Sequence, residues 1–172
     1  MDLVTLILAC SLYANPDITY AMVQIGSAGD PLTVTTEGKT TQFKTANEAT
    51  RYVQEQLMHN HPIEIGLMQL PNRWIPAGVA VHDLFRPCKN LVSATEVLNQ
   101  LHQRCVSAVA KNPHLTLQTC ILSLYKTGNT QQGAYYAKTV LNYAKQHPFA
   151  PLKAKAQDPD MHKPRMKSNE QR

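Results

Sequence analysis

What the chain lacks narrows its function before any motif is found. No apolar run approaches the roughly 18 residues of a membrane-spanning helix, so no transmembrane segment is expected. The 4 cysteines include no Cys-x-x-Cys pair, which removes the common zinc and dithiol redox motifs. The 7 histidines form neither a His-x-x-x-His pattern nor a glutamate-linked pair, and no metal or other cofactor is expected. Aromatic side chains make up only 6% of the chain, and Trp74 is the single tryptophan. Charge of one sign is not abundant either, with 17 basic against 12 acidic residues and a net charge of +5. Much of that excess lies in Lys153, Lys155, Lys163, Arg165, Lys167 and Arg172, set against Asp158, Asp160 and Glu170. The remainder is too little for a dedicated nucleic-acid-binding face, so no nucleic acid partner is expected.

What is present fits one domain and a tail. A chain of 172 residues is long enough to bury one core without metals. Residues 1–147 are expected to form it, and residues 148–172 read as a basic, proline-containing, solvated tail. An exported protein could pair all of Cys10, Cys88, Cys105 and Cys120, whereas a cytosolic one would keep them reduced. If two antiparallel helices meet near Asn112-Pro113, Cys105 and Cys120 lie about equally far from the turn on facing sides, which leaves Cys10 for Cys88. Met1–Cys10 has no basic start and too short an apolar core for a signal peptide or a lipoprotein leader, and is expected to be a first helix.

Asp2 can cap that helix, and Asn15 with Pro16 supplies the cap and first-turn proline of a second, which carries Gly26 near its end. Residues 32–43 alternate around Thr36-Glu37-Gly38-Lys39 and read as a hairpin. Thr45-Ala46-Asn47-Glu48 is a capping box for a helix with Ala49, Tyr52, Val53 and Leu57 at helical spacing. Ser93-Ala94-Thr95-Glu96 reads as a second such box, starting a helix whose buried face holds Val97, Leu98, Leu101 and Cys105. Further helices are expected from Leu115 to Tyr125 and from Ala134 to the stop at His147-Pro148.

Between them lies the stretch Glu64–Trp74, where Gly66 allows close approach to the backbone and Met68, Gln69 and Trp74 offer soft, amide and aromatic surfaces. On composition such a run is core or binding cleft. Gly66-Leu67-Met68-Gln69 resembles the Gly-Leu-Met-Gln signature of the lysozyme-like lytic transglycosylases, in particular the small ones that accompany type IV secretion and conjugation machines. Three further blocks agree in order. Ile25-Gly26-Ser27-Ala28-Gly29-Asp30-Pro31 stands where that family has Glu-Ser-x-x-Asn-Pro, and Leu124-Tyr125-Lys126-Thr127-Gly128 where it has Tyr-Asn-x-Gly. Phe85-Arg86-Pro87-Cys88-Lys89-Asn90-Leu91 resembles its Phe-x-Pro-Cys-x-Asn-Leu opening of a helix. The resemblance covers roughly residues 1–146. It implies a mainly α, lysozyme-like (α+β) single domain with a small β-hairpin. It also implies peptidoglycan glycan strands as ligand, other secretion-machine subunits as further partners, and a place in the periplasm or cell envelope.

The family cleaves between muramic acid and glucosamine with one glutamate, which protonates the leaving oxygen and then acts as base while a 1,6-anhydro ring closes. Here that position is Gly26, which moves no proton, so a catalytically impaired relative is expected. Tyr125 corresponds to the tyrosine that supports the acid, or is core with its hydroxyl at the rim. Ser27 either meets the acid and substrate or caps local backbone. Met68, Gln69, Lys126 and Tyr136 complete the expected substrate-binding set, Lys126 replacing the family's asparagine. The alternative is an active enzyme with a displaced acid, Glu64 or Glu37, although Glu64 reads better as a surface or helix-capping charge.

Overall fold

Short polar side chains start most of the helices. In the computed structural model, which describes residues 1–149, helix α1 (Leu3–Cys10) is capped by the Asp2 carboxylate, which accepts from Thr5 N at 3.0 Å. Asn15 Oδ1 accepts from Asp17 N at 2.8 Å to open α2 (Pro16–Ser27), with Pro16 in the first turn where its missing N–H costs nothing. Thr45 Oγ1 does the same for Glu48 N ahead of α3 (Ala46–Met58). Thr116 accepts from Thr119 N ahead of α5 (Leu117–Thr127), which therefore starts two residues later than its apolar spacing suggested. The last helix, α6 (Ala134–Gln146), runs as expected to His147.

Helix α4 is the exception. It spans Pro87–Lys111 and so begins six residues before the expected box at Ser93. Pro87 opens it without any side-chain cap, and by Ser93 the helix is already running, so Ser93 and Thr95 are buried and the Thr95 hydroxyl donates back to the Leu91 carbonyl at 2.8 Å. The helix-opening resemblance at Phe85–Leu91 placed this start better than the composition of the box.

The hairpin is present but belongs to a larger sheet. Strands β1 (Thr33–Thr36) and β2 (Lys39–Gln42) meet at Glu37-Gly38, whose φ angles of +50° and +79° are those of a two-residue turn matched to strand twist. Strands β3 (Ile63–Ile65) and β4 (Leu70–Pro71) extend it in the order β2-β1-β3-β4, all antiparallel. Ile63 and Ile65 point into the core and Glu64 points out, paired across the strands with Thr35 on one side and Pro71 on the other. Strands this short leave no readable alternation, which is why these two are not evident in the sequence.

Helix α4 packs against α5 and α1 while α6 packs against α5 and α2, and Leu91, Ala94, Leu98 and Leu101 share one core with Leu122 and Leu124 of α5 and Met22 of α2. Disulfides join Cys10 to Cys88 and Cys105 to Cys120, with Cα atoms 5.3 and 5.8 Å apart, as the spacing suggested. Phe149 is buried with its ring edge-on to Tyr20, and its N–H donates to the Asp17 carboxylate. The rest of the expected tail, residues 150–172, lies outside the described residues. Among the described residues no helix is long and apolar enough to cross a membrane.

The two disulfides differ in the loop they close, with sequence separations of 78 and 15. Chain-entropy loss gives about 4.5 kcal/mol for the longer and about 3 kcal/mol for the shorter. Urea denaturation is expected to show a larger stability loss for Cys10→Ser/Cys88→Ser than for Cys105→Ser/Cys120→Ser.

Candidate functional site

The turn between β3 and β4, Gly66-Leu67-Met68-Gln69, is where the sequence blocks meet. Gly66 has φ +73°, and a Cβ there would press on the Asn90 amide and come within 2.7 Å of the Leu84 carbonyl, so glycine is required twice over. The group that approaches its backbone is thus Asn90. The turn closes through Gln69 N donating to the Gly66 carbonyl at 3.0 Å, and four other elements hold it. From β1, the Thr33 carbonyl accepts from Gly66 N at 2.8 Å. From α2, Ser27 Oγ donates to the Leu67 carbonyl at 2.8 Å. From α4, Asn90 Oδ1 accepts from Met68 N at 2.8 Å while its Nδ2 donates to the Ile65 and Leu84 carbonyls. From α5, the Tyr125 hydroxyl donates to the Met68 carbonyl at 2.9 Å.

Gln69 completes the arrangement. Its Nε2 donates to the Thr33 and Gly66 carbonyls at 3.2 and 2.8 Å, and its Oε1 accepts from the Thr35 hydroxyl at 2.6 Å. The amide partners are the protein's own groups. Gly26 lies directly against this side chain, since a Cβ at Gly26 would sit 2.7 Å from Gln69 Cγ and 3.3 Å from its Cβ. The space into which a side chain at position 26 would grow is therefore filled by Gln69.

The structure brings Gly26, Ser27, Met68, Gln69 and Tyr125 together, but in the interior, with the last four of them buried. Of the two readings of Ser27 the structure shows backbone bonding, because its hydroxyl also contacts the Val23 carbonyl and accepts from Gly29 N. Tyr125 likewise is core with its hydroxyl used as a brace. Burial, followed by the nearby Tyr136 and Glu64, pushes its phenol well above the usual tyrosine range, so it stays a donor.

A second layer lies outside this one, on the outward face of the sheet. Glu64 is neither a free surface charge nor a helix cap. Lys126 Nζ reaches across from α5 to lie 2.6 Å from Glu64 Oε1 and 2.7 Å from Oε2. The same ammonium sits 5.3 Å from the centre of the Tyr136 ring, whose phenol is raised above its ordinary range by burial and then by Glu64. Arg73 Nη1 donates to the Lys126 carbonyl at 3.0 Å, and Trp74 Nε1 donates to the Tyr125 carbonyl at 2.9 Å with the Arg104 guanidinium 5.6 Å over its ring. Trp74 is thus a half-buried brace for the end of α5. Together Thr35, Glu37, Glu64, Pro71, Arg73 and Lys126 line a groove of about 220 Å³.

The chain is similar to Protein virB1 of Agrobacterium fabrum. The two are 30% identical over 161 residues, which take in 90% of this chain and 63% of that protein. The chain thus spans less than two thirds of its relative's length. No protein-family model matches the chain, and no solved structure matches it significantly.

Asn90 and Thr35 escaped the reading of the residues as site components, and so did the pairing of Glu64 with Lys126, each of which was named there separately. Asn90 stood inside a quoted block, but a buried asparagine with three backbone bonds leaves no mark in the sequence beyond its position. Glu64 and Lys126 are 62 residues apart and share no local pattern.

The tight fit at Gly26 reverses an ordinary expectation. Glycine to alanine in a helix usually stabilises by about 0.5–1 kcal/mol, but overpacking typically costs about 1–3 kcal/mol. Gly26→Ala is expected to lower stability in chemical denaturation, and to become neutral or stabilising in a Gln69→Ala background, where Cγ is gone. Additivity of the two changes would contradict the packing.

Proposed function

We propose that this chain is a lysozyme-like relative of the lytic transglycosylases of type IV secretion or conjugation systems, which holds peptidoglycan glycan strands in the cell envelope and cleaves them poorly or not at all. The observation that carries the reading is the contact of Gly26 with Gln69. The position where the family presents its acid has no carboxylate, and the neighbouring space is occupied by a side chain bonded at both ends. The similarity to Protein virB1 runs over the same stretch as the four sequence blocks and supports the family. The mainly helical body with a small antiparallel sheet supports the lysozyme-like fold.

The periplasm is the compartment in this proposal. Two disulfides form readily in an oxidising space and rarely persist in the cytosol. Other subunits of the secretion machine are proposed as partners alongside the glycan.

Of the expected contact residues, Lys126 lines the groove and Tyr136 lies under its ammonium, while Ser27, Met68, Gln69 and Tyr125 belong to the buried turn and its supports. In this reading Thr35 and Arg73 offer polar groups in the groove, and Tyr136 offers a ring face once the Lys126 ammonium moves off it. Glu64 and Glu37, the two candidates for a displaced acid, both line the groove, and both oxygens of Glu64 are engaged by Lys126.

Purified murein tests both halves of the proposal. The protein is expected to co-sediment with murein while releasing 1,6-anhydromuropeptides at least ~10²- to 10⁴-fold more slowly than an active transglycosylase, the usual contribution of general acid catalysis. Release at an active enzyme's rate, abolished by Glu64→Gln or by Glu37→Gln, would overturn the impaired reading in favour of the displaced acid.

A further inference from the structure

We propose that the Glu64–Lys126 ion pair is a strap between the groove and the Tyr136 ring, so that a sugar can stack on Tyr136 only after the pair opens. The inference rests on the glycan-binding reading above and adds its regulation.

The pair joins the two walls of the groove. Glu64 stands on the outward face of the sheet, beside Thr35 of β1, and Lys126 comes from the C-terminal turn of α5. Both carboxylate oxygens lie within 2.7 Å of the ammonium, and both residues line the groove, so the contact links β3 to α5 there. The same ammonium covers the Tyr136 ring at 5.3 Å, the face that a sugar would need.

Opening requires only side-chain movement. The backbone at this end of α5 is held by other bonds, from Arg73 to the Lys126 carbonyl, from Trp74 to the Tyr125 carbonyl, and from the Tyr125 hydroxyl to the turn. Releasing the pair breaks none of them. The strap is also accessible to salt, because the Lys126 and Glu64 side chains are 36% and 16% exposed. A partly exposed pair is worth little in stability and is screened by ions, which suits a contact that opens. A ligand entering the groove must compete with it, so the strap weakens binding by a small factor.

The test is calorimetric titration of the whole chain with a neutral N-acetylglucosamine oligomer, at low and high sodium chloride. A neutral probe leaves the ion pair as the salt-sensitive element. Lys126→Ala and Glu64→Gln are each expected to bind about two- to fivefold more tightly than the unmodified chain, in keeping with the modest strength of partly exposed pairs. Affinity of the unmodified chain is expected to rise with salt, and that of the two variants to stay level. The reversed pair, Glu64→Lys with Lys126→Glu, is expected to return to the weaker binding.

Unchanged or weaker binding in both single variants would overturn the strap and make the pair either inert or part of the ligand contacts. Binding by none of the proteins would overturn the glycan reading itself, and the strap with it. Circular dichroism of each variant separates a lost fold from a lost contact.

Discussion

The fold turns on four residues that have almost no side-chain freedom. Gly66-Leu67-Met68-Gln69 takes two left-handed backbone positions, and one of them is at a non-glycine residue, Gln69 at φ +47°. Such a conformation costs of order 1 kcal/mol or more unless its surroundings hold it. Here they do, through Ser27, Thr33, Asn90 and Tyr125, each from a different element. These bonds go to backbone groups of a buried turn, and leaving one of them unmade costs about 1–3 kcal/mol. The turn is therefore the place where the sheet and three helices are locked together, and the two disulfides fasten α4 to α5 and to α1.

That arrangement explains how the proposed loss of an acid leaves the rest intact. Nothing in the hub uses a carboxylate at position 26. Gln69 is anchored by Thr33, Gly66 and Thr35, so the side chain that fills the space beside Gly26 is held by bonds unrelated to catalysis. A side chain added at position 26 would meet Gln69 Cγ at 2.7 Å, and so would have to displace a residue whose amide is held by three hydrogen bonds.

Much of this was legible in the sequence where local chemistry decides local structure. Asp2, Asn15-Pro16 and Thr45–Glu48 start helices because their short oxygen-bearing side chains satisfy free N–H groups, and the hairpin turns at Glu37-Gly38 because Gly38 accepts positive φ without steric cost. The facing positions of Cys105 and Cys120 followed from two helices and a turn. The same local logic failed at Ser93–Glu96, where a capping pattern lies inside a helix already under way. Strands β3 and β4 were hidden because a run of 3 and a run of 2 residues hold no period. At the site, the convergence of Gly26, Gln69 and Tyr125 was readable from the order of the motifs, but the direction of each polar group was not. Gln69 looked like a ligand contact because an amide seeks partners, and only tertiary structure reveals that the partners are internal. The pairing of Glu64 with Lys126 depends on the same long-range geometry.

The central claim is that the Gln69 amide is committed to the protein and not offered to a ligand. Side-chain amide NMR of the whole chain, with resonances assigned by a Gln69→Glu comparison, measures this directly. The account predicts two Gln69 Nε2 protons that exchange slowly with solvent, are shifted away from the free glutamine range, and do not move when a glycan oligomer is added. Rapid exchange at free-glutamine shifts, or a shift on adding the oligomer that saturates with binding, would contradict it.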